Sequence, residues 1–325
     1  MARAGRTPDR VVTPQSVENA LRVLLAIGGS TNGILHLTAI AGRAGIDLGL
    51  SRLNELSDET PVLVDLKPTG DHYMEDLFAA GGIGAVLREL RPMLHLDCPT
   101  VSGQTLGERL SDAAGYVDRS VVRPLSDPVQ ERGGLVALFG SLAPRGAIMK
   151  RSAADPSLFE HEGRALVFDS PEDLAARIDA PDLDVNADDI LVLRNAGPKS
   201  PSGMPEAGCL PIPDKLARAG VRDMLRISDA RMSGTAFGSV VLHVSPDAAS
   251  GGPLAAVRTG DRIRVSVSER KLDLLVPANE LEQRPRRSFE PPERGYARLH
   301  REQVLQADEG CDLDFLRRAP VRQRR

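Results

Sequence analysis

From Pro124 onward the chain is cut into short apolar runs, and nothing else in it constrains the fold as strongly. "GGLVALFGSLAP", "GAIMK", "RALVFD", "DILVLRNAG", "MLRISD", "SVVLHV", "DRIRVSV" and "KLDLLV" are brief, rich in β-branched residues and bounded by Gly, Pro or Asp. Many short strands separated by turn signals argue for a sandwich or barrel. Two helical inserts stand among them, "SPEDLAARI" and "PDKLARAG". From Gln283 the strand pattern is lost. "QRPRRSFEPPERGYARLHREQVLQADEGCDLDF" reads as an extended arm and a terminal helix.

The residues before Pro124 have another character. Thr13-Pro14 reads as an N-cap followed by proline at the first helical position. Val17, Leu21, Leu24 and Leu25 then fall on one helical face. That helix stops at Gly28-Gly29, and Ser30-Thr31-Asn32 can cap the next. "PVLVDL" reads as a buried strand, and "DHYMEDLFAAGG" and "IGAVLREL" as two more helices. The expected fold is α/β (α+β), with a mostly helical part over 1–125. A β-barrel-like part with helical inserts follows over 126–283, and an arm with a terminal helix over 284–325. A chain of 325 residues is long enough for two such domains.

Composition excludes several function classes. The formal net charge is −4, so no nucleic-acid footprint is visible. No run of 18 apolar residues occurs and no apolar signal core opens the chain, so neither a membrane span nor export is expected. Cys98, Cys209 and Cys311 are far apart with no CxxC, which suggests neither a disulfide framework nor a zinc ribbon. The natural compartment is the reducing cytoplasm. Aromatic content is 3% with no Trp, so the core is built from Leu, Val, Ile and Ala.

Three stretches invite a chemical reading. Gly28 to Asn32 places backbone N–H groups at a helix start, which suits an anion; an ordinary helix stop followed by an ordinary cap suits the pattern as well. "RNAGPKSPSGMPEAGCLPIP" is a Gly- and Pro-rich loop with one carboxylate, Glu206, which suits a hard cation such as Mg²⁺. A solvated surface glutamate is the plainer alternative. "LRISDARMSGTAFGSVVLHVSP" interrupts two apolar runs with a short polar loop, and Ser233 in it reads as a nucleophile, a base or a helix cap. Asp229 and Arg231 beside it suggest a loop ion pair. The six histidines show no metal-ligand spacing.

Taken in order, "GGSTN", "GDHYMEDLFAAGG", "TVSGQTLGE", "GPKSPSGMPE", "SDARMSGTAFG" and "LQADEGCDLDFL" resemble the dihydroxy-acid dehydratase / 6-phosphogluconate dehydratase family. The likeness is strongest to its sugar-acid (arabonate-type aldonate) branch. The resemblance implies a hydro-lyase that removes water from a 2,3-dihydroxy acid to give a 2-keto acid. It implies Ser233 as the base, acting as an alkoxide, with Thr235, Ser30, Thr31 and Asn32 on the substrate and Glu206 on Mg²⁺. A small-molecule sugar acid or dihydroxy acid is the implied partner, and a homo-oligomer the implied assembly.

The family also carries an iron–sulfur cluster on three cysteines of an N-terminal portion. Cys98, Cys209 and Cys311 match none of those ligand motifs. The chain therefore resembles a member that begins partway through the N-terminal domain, so 1–125 corresponds to the latter part of that α/β domain. It is expected to work with a complementary N-terminal chain, or else to be a non-catalytic remnant that keeps the barrel. Ser200-Pro201-Ser202 is a further departure, standing where the family usually has a glycine-containing stretch.

Overall fold

The capping signal at Thr13 sets the first long helix. In the computed structural model, which describes residues 4–111, 115–206, 210–232 and 237–318, the Thr13 hydroxyl accepts from the Ser16 amide at 3.2 Å. The Ser16 hydroxyl accepts from the Thr13 amide at 2.9 Å. This reciprocal pair satisfies donors that a helix start otherwise leaves open. The first compact unit comprises Met1–Leu135 with Leu316–Arg325. Its helices are α1 (Pro8–Val11), α2 (Pro14–Ala26), α3 (Thr31–Arg43), α4 (Leu50–Glu59), α5 (Met74–Ala79), α6 (Gly82–Glu89) and α7 (Leu106–Ser111). Val17, Leu21 and Leu25 form the buried stripe of α2. A core of Leu63, Val64, Leu77, Val86, Leu90 and Val122 gathers the other elements.

"PVLVDL" departs from the expected strand. Among the described residues it makes only single bridges, Val62 to Gln130, Val64 to Val122 and Leu66 to His72. The amides of Leu63 and Val64 both donate to the Ala26 carbonyl at the end of α2. Its neighbours are a helix end and loops, so no ladder propagates.

The second compact unit is Val136–Phe315. All eight apolar runs become strands: β1 (Val136–Leu138), β2 (Gly146–Met149), β3 (Glu160–Phe168), β4 (Ile190–Leu193), β5 (Arg226–Ser228), β6 (Val240–Ser245), β7 (Arg262–Ser266) and β8 (Lys271–Leu274). They form one mixed sheet in the order β1-β2-β6-β5-β4-β3-β7-β8. Strand β3 serves two neighbours: Glu160 to Arg164 run antiparallel to β7, and Ala165 to Phe168 run parallel to β4. β4, β5 and β6 are mutually parallel. The sheet curls until its two edges meet, where Phe139 bridges Lys271 and exchanges hydrogen bonds of 2.9 Å with Arg270 and Leu272. The result is a nearly closed barrel.

Strand periodicity divides the apolar residues between two layers. Val136, Leu138, Val167, Ile190, Val192, Ile227, Val241, Ile263 and Leu272 share the interior cluster. Leu191 and Leu193 point the other way, against Phe168, Leu174, Ile178 and Met224. Helices α8 (Pro171–Arg177) and α9 (Asp214–Arg218), the two expected inserts, supply Leu174 and Leu216 to that outer layer. With both faces covered, β4, β5 and β6 are buried at every position. α10 (Ala278–Gln283) and α11 (Gly295–Gln303) follow the barrel. No helix among the described residues is long and apolar enough to cross a membrane.

Candidate active site at the carboxyl ends of the parallel strands

β4, β5 and β6 point the same way, so the segments after Leu193, Ser228 and Ser245 leave from one end of the sheet. In open parallel sheets this end is where ligands bind. Two buried carboxylates tie the three exits together. Asp229 accepts from the Ala196 amide at 3.0 Å and from the Ala248 amide at 2.9 Å. Asp247 accepts from the Lys199 amide at 2.7 Å and the Ser250 amide at 2.8 Å. A Cβ on Gly197 would lie 2.4 Å from that of Asp247, so only glycine allows this approach. Asp229 and Arg231 do not form the expected ion pair in this arrangement. Each takes backbone partners instead, Arg231 Nε donating to the Met204 carbonyl at 3.0 Å.

The loop after β4 is built from tight turns, Ser200 donating its amide to Gly197 O and Gly203 to Ser200 O. Ser200 and Ser202 share a hydroxyl contact of 2.8 Å. Gly203 and Met204 are both left-handed, at φ 64° and 55°. Glu206 follows, exposed, with its backbone bridged in parallel to Arg231. The Glu206 loop thus lies against the segment that runs from β5 towards Ser233. Ser233, Thr235 and Cys209 themselves lie outside the described residues.

Burial sets the electrostatics. Removal from water, with the Asp247 charge nearby, pushes the Asp229 carboxyl up to about 7 despite its two amide donors. His243 on β6 is buried and left-handed at φ 60°. Burial and the Arg231 charge bring it down to about 3, so it is neutral. Neither of its ring nitrogens has a partner among the described residues.

In the first unit, Gly28 (φ 61°) ends α2, and a Cβ on Gly29 would sit 2.3 Å from the Leu24 side chain. Ser30 caps α3: its hydroxyl accepts from the Asn32 amide at 3.1 Å and its carbonyl from the Gly33 amide at 2.9 Å. Thr31 is buried. These amides are already paired locally, as in an ordinary helix start.

No group of three or more His, Cys, Asp or Glu that could hold a metal occurs among the described residues. Glu206 fits a single carboxylate ligand of a hydrated Mg²⁺, an ion that needs few protein ligands. Among the described residues the thiols are not gathered for an iron–sulfur cluster, which takes several cysteines at once. Cys98 is buried, receives the Asn19 amide group at 3.6 Å, and is pushed up by burial. Cys311 lies 3.3 Å from the Met204 sulfur and is pushed up to about 12 by burial. Sequence reasoning missed Asp247, Met204 and Gln306 as parts of this end of the barrel. The one local signal was Asp247 three residues before Ser250, an N-cap spacing.

Known proteins carry related sequences. The profile described as "Dihydroxy-acid/6-phosphogluconate dehydratase N-terminal" matches residues 1–109, and its C-terminal counterpart matches 120–311. The chain is 50% identical over 319 residues to a 6-deoxy-6-sulfo-D-gluconate dehydratase of Pseudomonas putida, covering 96% of this chain and 55% of that protein. It is 47% identical over 328 residues to an L-arabonate dehydratase of Azospirillum brasilense, covering 97% and 56%. A dihydroxy-acid dehydratase of Ignicoccus hospitalis is 41% identical over 321 residues, covering 97% and 57%. The chain spans a little more than half the length of these relatives, and on the strength of both profiles it belongs to the dihydroxy-acid/6-phosphogluconate dehydratase family.

Proposed function

We propose that this chain supplies the carboxyl-terminal part of a dehydratase that converts a sugar acid or related 2,3-dihydroxy acid to a 2-keto acid and water. The observation that carries the reading is the Glu206–Arg231 backbone bridge, which sets an exposed carboxylate beside the segment leading to Ser233. Both lie at the end of the barrel where three pinned loops converge. The names of the relatives favour an aldonate over other acids.

The reaction removes a proton from C2 and a hydroxyl from C3, and the resulting enol becomes the keto acid. Glu206 would hold Mg²⁺, which when bound polarises the substrate acid and makes the C2 proton more acidic. Ser233 takes that proton, and it needs neighbouring positive charge to act as an alkoxide at neutral pH. Thr235 contacts the substrate hydroxyls, and the family resemblance gives Ser30, Thr31 and Asn32 a substrate-binding role of their own. The thiols of Cys98 and Cys311 do not suit a cluster, so neither is assigned to the departing hydroxyl. The free thiols of Cys98 and Cys311 agree with a cytoplasmic setting. A homo-oligomer or a complementary N-terminal chain is the expected partner.

The test is an assay for 2-keto acid formation from L-arabonate and from a branched 2,3-dihydroxy acid. It is run on the chain alone and with the complementary segment of a relative co-expressed. Turnover only in the second case supports the proposal. Binding of the acids without turnover in either case supports a binding protein that keeps the barrel.

A further inference from the structure

The segment "LQADEGCDLDFL" takes no part in the reading above, yet it is built into the same end of the barrel. Residues 304–313 form a closed turn: Val304 bridges Leu313, the Leu305 amide donates to Asp312 O at 2.8 Å, and the Cys311 amide donates to Gln306 O at 3.1 Å. The turn is fastened to the barrel at two places. Buried Gln306 accepts from the Asp247 amide at 2.7 Å and donates to the Ser250 hydroxyl at 2.9 Å. Arg145, ahead of β2, pairs with Asp308 at 2.7 Å and Glu309 at 2.5 Å.

From that anchored position the turn reaches the Glu206 loop. Cys311 Sγ meets Met204 Sδ at 3.3 Å, and Gln306 holds the same Asp247 that receives the Lys199 amide. Met204 is buried and left-handed at φ 55°, a conformation a bulky residue keeps only when its surroundings hold it. Its carbonyl is held by Arg231 and its sulfur by Cys311. Cys311 is itself left-handed, at φ 52°. Two uncommon backbone conformations therefore meet at one contact, two residues before Glu206.

We propose that the turn 304–313 is a latch that sets the position of Glu206, with Met204 and Cys311 as the positioning residues through which it acts. The inference rests on Glu206 being the metal ligand only for its effect on turnover; the mechanical link stands on its own. A hydroxyl replaces the thiol donor adequately, whereas a methyl group cannot donate at all.

Hydrogen–deuterium exchange on the full chain tests the link. Cys311→Ala should speed exchange in residues 199–206 by about tenfold while leaving β4 and β5 protected, and Cys311→Ser should restore the wild-type rate. Arg145→Ala, a partly exposed substitution that leaves the core intact, should loosen 304–313 and 199–206 together. Loosening of 304–313 alone, or unchanged exchange at 199–206 in Cys311→Ala, overturns the proposal. So does uniform loosening of the whole barrel. In the turnover assay, Cys311→Ala should raise the Mg²⁺ concentration for half-maximal rate by about tenfold and leave kcat at saturating Mg²⁺ near wild type. An unchanged Mg²⁺ requirement in an active enzyme also overturns it. If the wild type shows no turnover, the dehydratase reading fails, and the latch stands or falls on the exchange data.

Discussion

Asp229 is a carboxyl group kept from water, and its pH behaviour follows from that. In the unfolded chain it ionises near 3.8, and in the folded chain burial moves it up to about 7. The folded state holds the extra proton between these values. The stabilisation this gives is therefore complete below about 4 and lost as pH rises through about 7. Melting temperature should accordingly fall, relative to Asp229→Asn, between about pH 4 and 7 and level off above that. A constant difference between the two proteins over that range would show that Asp229 does not titrate there. Ser233→Ala separates base from cap. A lost general base should lower turnover by about 10²–10⁴-fold or more and leave the melting temperature unchanged. A lost cap would cost about 1 kcal/mol of stability and spare the chemistry. Caps at Thr13 and Ser30 were legible because their partners lie two or three residues away. Gln306 was not, because its partner Asp247 is 59 positions distant.

Elements were legible where the apolar period agreed with the surroundings. The runs from "GGLVALFG" to "KLDLLV" became β1 to β8 because each found another run to pair with. "PVLVDL" has the same local signal, but Ala26 takes the amides of Leu63 and Val64, and local pattern cannot report that competition. Strand order was equally hidden, since β3 divides its length between β7 and β4. Closure between β1 and β8 depends on Gly140, where a Cβ would stand 2.2 Å from the Leu272 carbonyl oxygen. Backbone cannot yield there as a flexible side chain would. Gly140→Ala should lower stability by about 1–3 kcal/mol. The exchange of the Phe139 and Leu272 amides should rise with it, and a fully stable variant would show that the edges close without this approach.

At the scale of the whole molecule, two assembly predictions follow from the donor set. After anaerobic reconstitution with iron and sulfide the purified chain should hold no stoichiometric cluster, because its three cysteines match no ligand motif and Cys98 and Cys311 are held by separate protein partners. A brown, cysteine-dependent chromophore would refute this. Titration calorimetry with Mg²⁺ should give no tight one-to-one isotherm, since one carboxylate holds a strongly hydrated ion poorly. Tight binding lost in Glu206→Ala would contradict it. The curled sheet has a different bearing on how the protein behaves in company. With Phe139 bridged to Lys271 and hydrogen bonded to Arg270 and Leu272, the two edge strands are drawn onto each other. An edge paired within its own chain offers less of a template to a strand from another copy. The barrel should therefore resist sheet-to-sheet aggregation for as long as that bridge holds.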